Sequence, residues 1–263
     1  MAQIFRVLER AILLFALTGS AAGAETILDA RYTAPVERYG HFALGRPHEY
    51  ARLSANTSSG RILTLDLPEH DVFEDLAPRL VKLTASGPSH LLAIISRIDS
   101  GARLALIGLG GDGLEIAAQS APIGTPKRWL NPVGVADLDG DGRAEIAAVI
   151  TPHIGGMLKV YGRKGAELVE LAALEGFSNH VYGTTELALS TPLSIEGRMR
   201  LLVPDATRRK LRVIALKNGV LVETGRCALS AAITGPIKVY ASNRVSVGLA
   251  SGAQFMLPGA CLR

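Results

Sequence analysis

Aromatic side chains make up 5% of this 263-residue sequence, with a single tryptophan, and cysteine occurs only twice. No apolar run is long and uninterrupted enough to span a bilayer as a helix, so a membrane-spanning helix is excluded. No stretch carries helical hydrophobic periodicity over three turns, which removes the helices that a doubly wound nucleotide-binding fold requires. None of the six histidines pairs with another at i, i+4, the spacing of a helix-borne zinc site. There is no G-x-S-x-G elbow, and the serines cluster in turns, so serine nucleophile catalysis has no support. Basic residues are scattered apart from Arg208-Arg209-Lys210, which excludes a nucleic-acid stripe; that triplet reads as a solvated hairpin loop. What is abundant is Ala, Leu, Val and Ile, and a hydrophobic share of 48% is enough for a core.

The N-terminus reads as an export signal. Arg6 and Arg10 precede the apolar run 11–17, and Ala22-Gly23-Ala24 supplies an A-x-A cleavage site. Residues 1–24 are therefore expected to be removed, leaving a chain from Glu25 that works in the periplasm or outside the cell. No cysteine lies near the cut, so a lipid anchor there is excluded.

Repeats set the expected architecture. The segments Leu91–Ala118, Ile146–Ala173 and Leu201–Leu229 share one pattern of short apolar runs separated by a loop and a glycine turn. Leu104, Leu158 and Leu211 correspond, as do Gly113, Gly165 and Gly219. A strand-only unit of about 50 residues suits a four-stranded propeller blade. Degenerate copies flank the three, so the expected fold class is all-β: a five-bladed β-propeller with blades of about 48 residues. The blades fall at 38–78, 79–130, 131–180, 181–232 and 233–263, and the N-terminal strand 26–32 closes the ring against the last of them.

One loop stands out. In Asp137-Leu138-Asp139-Gly140-Asp141-Gly142-Arg143-Ala144-Glu145, acidic residues occupy positions one, three, five and nine, with glycine at six. Ca²⁺ takes oxygen ligands that such a loop can gather: the side chains of Asp137, Asp139, Asp141 and Glu145, and the carbonyl of Arg143. An EF-hand would need a glutamate at position twelve, which is Ala148, and helices where the flanks read as strands. The alternative is a hairpin turn without metal. The unit Val133–Pro152 resembles the calcium loops of FG-GAP/VCBS repeats, the propeller blades of integrin α-chain heads and many secreted bacterial proteins. The family's Phe-Gly element is echoed only by Tyr39-Gly40 and Tyr182-Gly183. The loop at 83–89 lacks the acidic ladder, so one structural calcium is expected where the family usually has several.

Other motifs read as structure. Gly108-Leu109-Gly110-Gly111-Asp112-Gly113 matches G-x-G-x-x-G, but Pro122 and Pro126 follow and the repeat alignment makes it a hairpin turn. Cys227 and Cys261 form a disulfide if their Cα atoms approach within about 7 Å, or remain two separate thiols. His153 and His180 lie in loops that one face of the ring could bring together, with ordinary loop histidines as the plainer reading. Asp66, Glu69, Asp71, Glu74 and Asp75 read as a solvated acidic face, and Trp129 as a buried wedge between blades, with a sugar platform in an exposed groove as the alternative.

The resemblance implies a monomeric, non-catalytic binding or adhesion module for a protein or glycan, without a nucleic-acid partner. The alternatives are a propeller enzyme acting on carbohydrate, or a scaffold subunit of an envelope complex.

Overall fold

The computed structural model describes residues 24–262, so the expected export signal lies outside them apart from Ala24. The described residues form strands β1 (Ile27–Pro35), β2 (Tyr50–Thr57), β3 (Ile62–Asp66), β4 (Asp71–Phe73), β5 (Arg79–Lys82), β6 (Ser89–Arg97), β7 (Gly101–Leu109) and β8 (Leu114–Ser120). They continue as β9 (Leu130–Ala136), β10 (Glu145–Ile150), β11 (Gly156–Lys164), β12 (Glu167–Phe177), β13 (Thr191–Ile195), β14 (Arg198–Pro204), β15 (Lys210–Lys217) and β16 (Val220–Ala228). The last three are β17 (Ile233–Val239), β18 (Val245–Leu249) and β19 (Gly252–Met256). Among these residues no helix is long and apolar enough to cross a membrane.

Antiparallel hairpins organise the sheets. β9 to β12 run in sequence order, as do β13 to β16 and β17 to β19. β4 and β5 lie end to end along one edge of β6, so Glu74 to Pro78 fill a break in that edge strand. The sheet that spans β1 to β12 is continuous only through two thin joints. One is the pair Tyr50–Phe73 between β2 and β4, and the other is the two-residue parallel pairing of β8 with β12. These joints divide it into three packing units.

The core lies between successive units, in four layers. Alternate side chains of a strand serve the layer on each side, as a period of two demands. In β6, Leu91, Ala93 and Ile95 enter one layer while Leu92 and Ile94 enter the next. In β10, Ile146, Ala148 and Ile150 face back, and Ala147 and Val149 face forward. Both faces of these strands are covered, which explains their unbroken apolar runs. β15 alternates in the same way, Leu211 and Val213 to one side, Ile214 and Leu216 to the other.

This is an all-β, propeller-like stack of sheets. The aligned Leu104, Leu158 and Leu211 fall on β7, β11 and β15 and are all fully buried. The glycine-rich motif is a turn from β7 to β8, closed by Gly110 N–H donating to the Gly113 carbonyl at 2.8 Å. Trp129 is a buried wedge, 1% exposed, in the layer between β6–β8 and β9–β12. Cys227 and Cys261 are bonded, with Cα atoms 5.2 Å apart.

Ring closure by the N-terminal strand is corrected. β1 pairs with β2 along its whole length, from Ile27 opposite Thr57 to Pro35 opposite Tyr50. The apolar pattern decides this: Ile27, Ala30 and Tyr32 share one layer with Leu53, Ala55 and Leu65. Tyr32 also stacks on Tyr50 and Phe73, with centroids 5.7 and 4.8 Å away. Among the described residues none of the four layers joins β17–β19 to β1–β3.

Candidate functional site

Strand pairing sorts the loops into two ends of the molecule. Leu130 pairs with Ile150 and Gly156 with Phe177, so the start of β9, the β10–β11 turn and the chain leaving β12 lie together. The acidic loop, between β9 and β10, is at the other end. The long connection from β1 to β2 reaches the first end, where Gly183 N–H donates to the Ala43 carbonyl at 2.8 Å.

Two buried carboxylates shape that end. Glu49 accepts the N–H groups of Tyr39, Gly40 and His41 at 3.2, 3.1 and 3.1 Å, which fixes the loop carrying His41. Glu74, 1% exposed, sits in the edge-strand break. Its Oε1 accepts from His41 Nδ1 at 2.9 Å and its Oε2 from Ser96 Oγ at 2.6 Å. The Trp129 indole donates to the Glu74 carbonyl at 2.9 Å. In the neutral ring, with Nδ1–H facing the carboxylate, Nε2 carries the lone pair.

A second imidazole pair stands beside it. His180 is fully buried and its Nε2 donates to the Thr184 carbonyl at 2.9 Å. That carbonyl can only accept, so Nδ1 of His180 is an acceptor and receives a hydrogen bond from His153 Nε2–H across 2.7 Å. His153 is thereby left with a bare Nδ1. Burial, with the neighbouring His180, His41 and Arg208, pushes the His153 pKa down to about 3. Burial also lowers that of His180 to about 4, against the Thr184 hydrogen bond and with the help of Arg208. Both rings are neutral at neutral pH.

Aromatic rings complete the walls. Trp129 lies parallel to His153 at 6.0 Å, and Tyr182 meets His153 edge-on at 5.2 Å. Tyr182 is 55% exposed and its hydroxyl donates to the His41 carbonyl at 2.7 Å. His41, Trp129, His153 and Tyr182, with Lys127 and Arg128, line a pocket of about 150 Å³.

The sequence offered only part of this. His153 and His180 do meet, in hydrogen-bond contact at 2.7 Å. The reading of 66–75 as a solvated face holds for Asp66 and Glu69 but is corrected for Asp71, Glu74 and Asp75, which are buried. Asp71 is paired with Arg97 and Arg103, and Asp75 with Arg79, so their charges are compensated inside the fold. His41 and Tyr182 were not foreseen as site residues; each is brought in by a loop from a different unit.

At the opposite end, the acidic loop is tightly wound. Asp137 accepts from the Gly140 and Gly142 N–H groups at 2.7 and 3.0 Å. Asp139 accepts from Asp141 N–H at 3.0 Å, and Asp141 from Arg143 N–H at 2.7 Å. Gly140 and Gly142 have φ of 89° and 86°, a conformation that glycine adopts without strain. Oxygens of Asp137, Asp139 and Glu145 all lie within 4.8 Å of one another, while Asp141 is outside that group and Arg143 is exposed. Burial, then the charges of Asp139, Asp141 and Asp137, raise the Glu145 pKa against its hydrogen bond from Leu138 N–H. Three hard oxygen donors that repel one another fit a divalent cation such as Ca²⁺.

No family model matches the chain, and no curated protein matches it. Among the solved structures, one from Bacteroides fragilis described as "a putative 6-phosphogluconolactonase" is similar at 14% identity and a TM-score of 0.40. The likeness covers 78% of this chain and 59% of that one, so the chain spans less than two thirds of its length. The resemblance to FG-GAP/VCBS repeats is corrected here: it rested on the single unit 133–152, and no family model matches the chain. The expectation of a non-catalytic module came with that family and is withdrawn with it.

Proposed function

We propose that this chain is a propeller-fold enzyme of the periplasm or cell exterior that hydrolyses an ester or lactone bond in a carbohydrate. The observation that carries the reading is the Glu74–His41 pair opening on an aromatic pocket. A carboxylate on Nδ1 orients the ring, leaves Nε2 free to take a proton from water, and stabilises the imidazolium that forms. His153, kept neutral, offers Nδ1 to a substrate hydroxyl. Lys127 and Arg128 line the same pocket, where they would balance the negative charge that develops on an attacked carbonyl oxygen. Tyr182 supplies an exposed flat face for a sugar ring.

Glycoside hydrolysis fits less well, because it needs two carboxyl groups facing the scissile bond. Both oxygens of Glu74 are already engaged. A pocket of about 150 Å³ suits one sugar ring or a chain end more than a long polymer.

The reading includes five face-packed units as blades and a structural Ca²⁺ at Asp137, Asp139 and Glu145, to which the same loop would add Asp141 and the Arg143 carbonyl. The calcium stands at the end opposite the histidines and takes no part in the chemistry. The test is hydrolysis of a panel of sugar δ-lactones and sugar acetates, followed by proton release, beside aryl glycosides. Turnover of a lactone or acetate that His41→Ala lowers by roughly 10²–10⁴-fold supports the reading. Turnover of glycosides alone, or activity indifferent to His41, rejects it.

A further inference from the structure

Among the described residues the strands that end a sheet are β1, β3, β5, β9, β13, β16, β17 and β19. All but one are guarded. β1, β3, β5 and β16 carry charges, among them Asp29, Asp66, Lys82 and Glu223, while β9, β13 and β17 carry Pro132, Pro192 and Pro236. Charges and prolines keep a foreign strand from adding to an open edge. β19, Gly252-Ala253-Gln254-Phe255-Met256, has neither.

That edge also lacks a strand its neighbours have. β9–β12 and β13–β16 are four-stranded, whereas β17–β19 stops at three. Among the described residues no strand lies beyond β19, and no backbone hydrogen bond from a loop reaches 252–256. Its outward N–H and C=O groups therefore have no protein partner. The edge of β16, by contrast, is met by Leu262 in a bridge to Gly225.

The face beside the open edge is aromatic and cationic. Lys238 pairs with Ser246 and Ser246 with Phe255, and their neighbours Ile237, Val245, Val247 and Met256 pack into the core, so these three share the outward face. Tyr240 and Phe255, 41% and 58% exposed, stand 6.0 Å apart, with the Arg244 guanidinium 5.8 and 5.6 Å from their rings. Among the described residues neither Lys238 nor Arg244 is in an ion pair. No Asp or Glu follows Glu223 in the chain, so the last unit has no acidic side chain to offset them.

We infer that β19 accepts an extended, acidic segment of a partner protein as the fourth strand of the last unit. Backbone pairing along 252–256 supplies the hold, Phe255 packs against the added side chains, and Lys238 and Arg244 select carboxylates. Charge argues against a second copy of this chain as the occupant. Two β19 edges joined to each other would put both sets of cations on one sheet, with no acidic side chain from either last unit between them.

Fluorescence anisotropy with a labelled Glu-Val-Glu-Val-Glu-Val peptide tests this, beside Lys-Val-Lys-Val-Lys-Val. The acidic peptide should bind and the basic one should not. N-methylation of alternate residues in one phase should weaken binding at least about tenfold and in the other phase leave it, because an added strand gives every second N–H to the ladder. Arg244→Gln, at an exposed position, should weaken it roughly 1.5–5-fold. Phe255→Glu, also exposed, should abolish it. Absence of saturation by about 1 mM peptide, equal binding of the basic peptide, or indifference to N-methylation in both phases overturns the inference. Sedimentation of the native protein and flotation with phosphatidylglycerol vesicles are run alongside. A dimer that Phe255→Glu dissolves would assign the edge to a second copy, and vesicle binding lost in the same variant would assign it to a lipid surface; either result overturns the partner strand.

Discussion

His41 Nδ1 lies 2.9 Å from Glu74 Oε1, although 33 residues separate the two in sequence. The carboxylate belongs to a break in an edge strand and the imidazole to a long loop from the preceding unit. Glu74 also holds Ser96 through its side chain and Trp129 through its carbonyl, so one buried residue ties three segments to the pocket floor.

Replacing Glu74 by Gln tests that arrangement. A neutral amide keeps the volume but no longer stabilises imidazolium, so kcat should fall by roughly 10²–10⁴-fold while KM changes little. Equal loss in kcat/KM through KM alone would make the residue a binding group and not an orienting one.

The two neutral imidazoles predict a pH dependence of stability above the range in which carboxylates titrate. The folded pKa of His180 is about 4, against 6.5 when unfolded, because burial disfavours its charged form. Between those values the unfolded chain binds the extra proton, so stability present above pH 6.5 is lost as pH falls toward 4. From pH 7 to 5 the loss from His180 alone should be about 2 kcal/mol. Urea midpoints measured across that range should fall for the native protein and fall less steeply for His180→Gln, in which only His153 still contributes. A flat native profile would mean that the ring is charged or exposed in solution.

Calcium should stabilise the fold. A ligand that binds only the folded state contributes RT ln(1 + [L]/Kd), about 2.7 kcal/mol at a hundredfold excess over Kd. Chelator should lower the melting temperature and calcium restore it. Asp139→Ala should erase the response and Asp99→Ala, outside the loop, should leave it. A native melting curve indifferent to chelator would reduce the loop to a turn.

The Cys227–Cys261 bond joins the fourth strand of one unit to the chain after the last, across 34 residues. By loop closure it should contribute about 3–4 kcal/mol. Thiol labelling of denatured, unreduced protein should find no free cysteine, and reduction should lower the melting temperature. Two labelled thiols before reduction would refute the bond.

The sequence alone determined the strands, the turns and the acidic loop, because each is set by neighbours along the chain. Short unbroken apolar runs mark β6 and β10, and glycines at 113, 165 and 219 mark the turns between aligned strands. Alternating Asp with glycine winds the 137–145 loop locally, so its carboxylates could be read in advance. Which strand β1 would join was not legible, since its free edge could pair with either end of the stack. Only the fit of Ile27, Ala30 and Tyr32 against Leu53 and Leu65 decided it. The histidine pocket was equally hidden. Its members come from four separate loops, and a polar residue in a loop has no periodicity to betray it. Asp71, Glu74 and Asp75 looked solvated because composition cannot show that Arg97, Arg103, Arg79 and His41 wait for them in the interior. Burial of a charge depends on where its partner is carried, and that is a property of the packed sheets and not of the chain order.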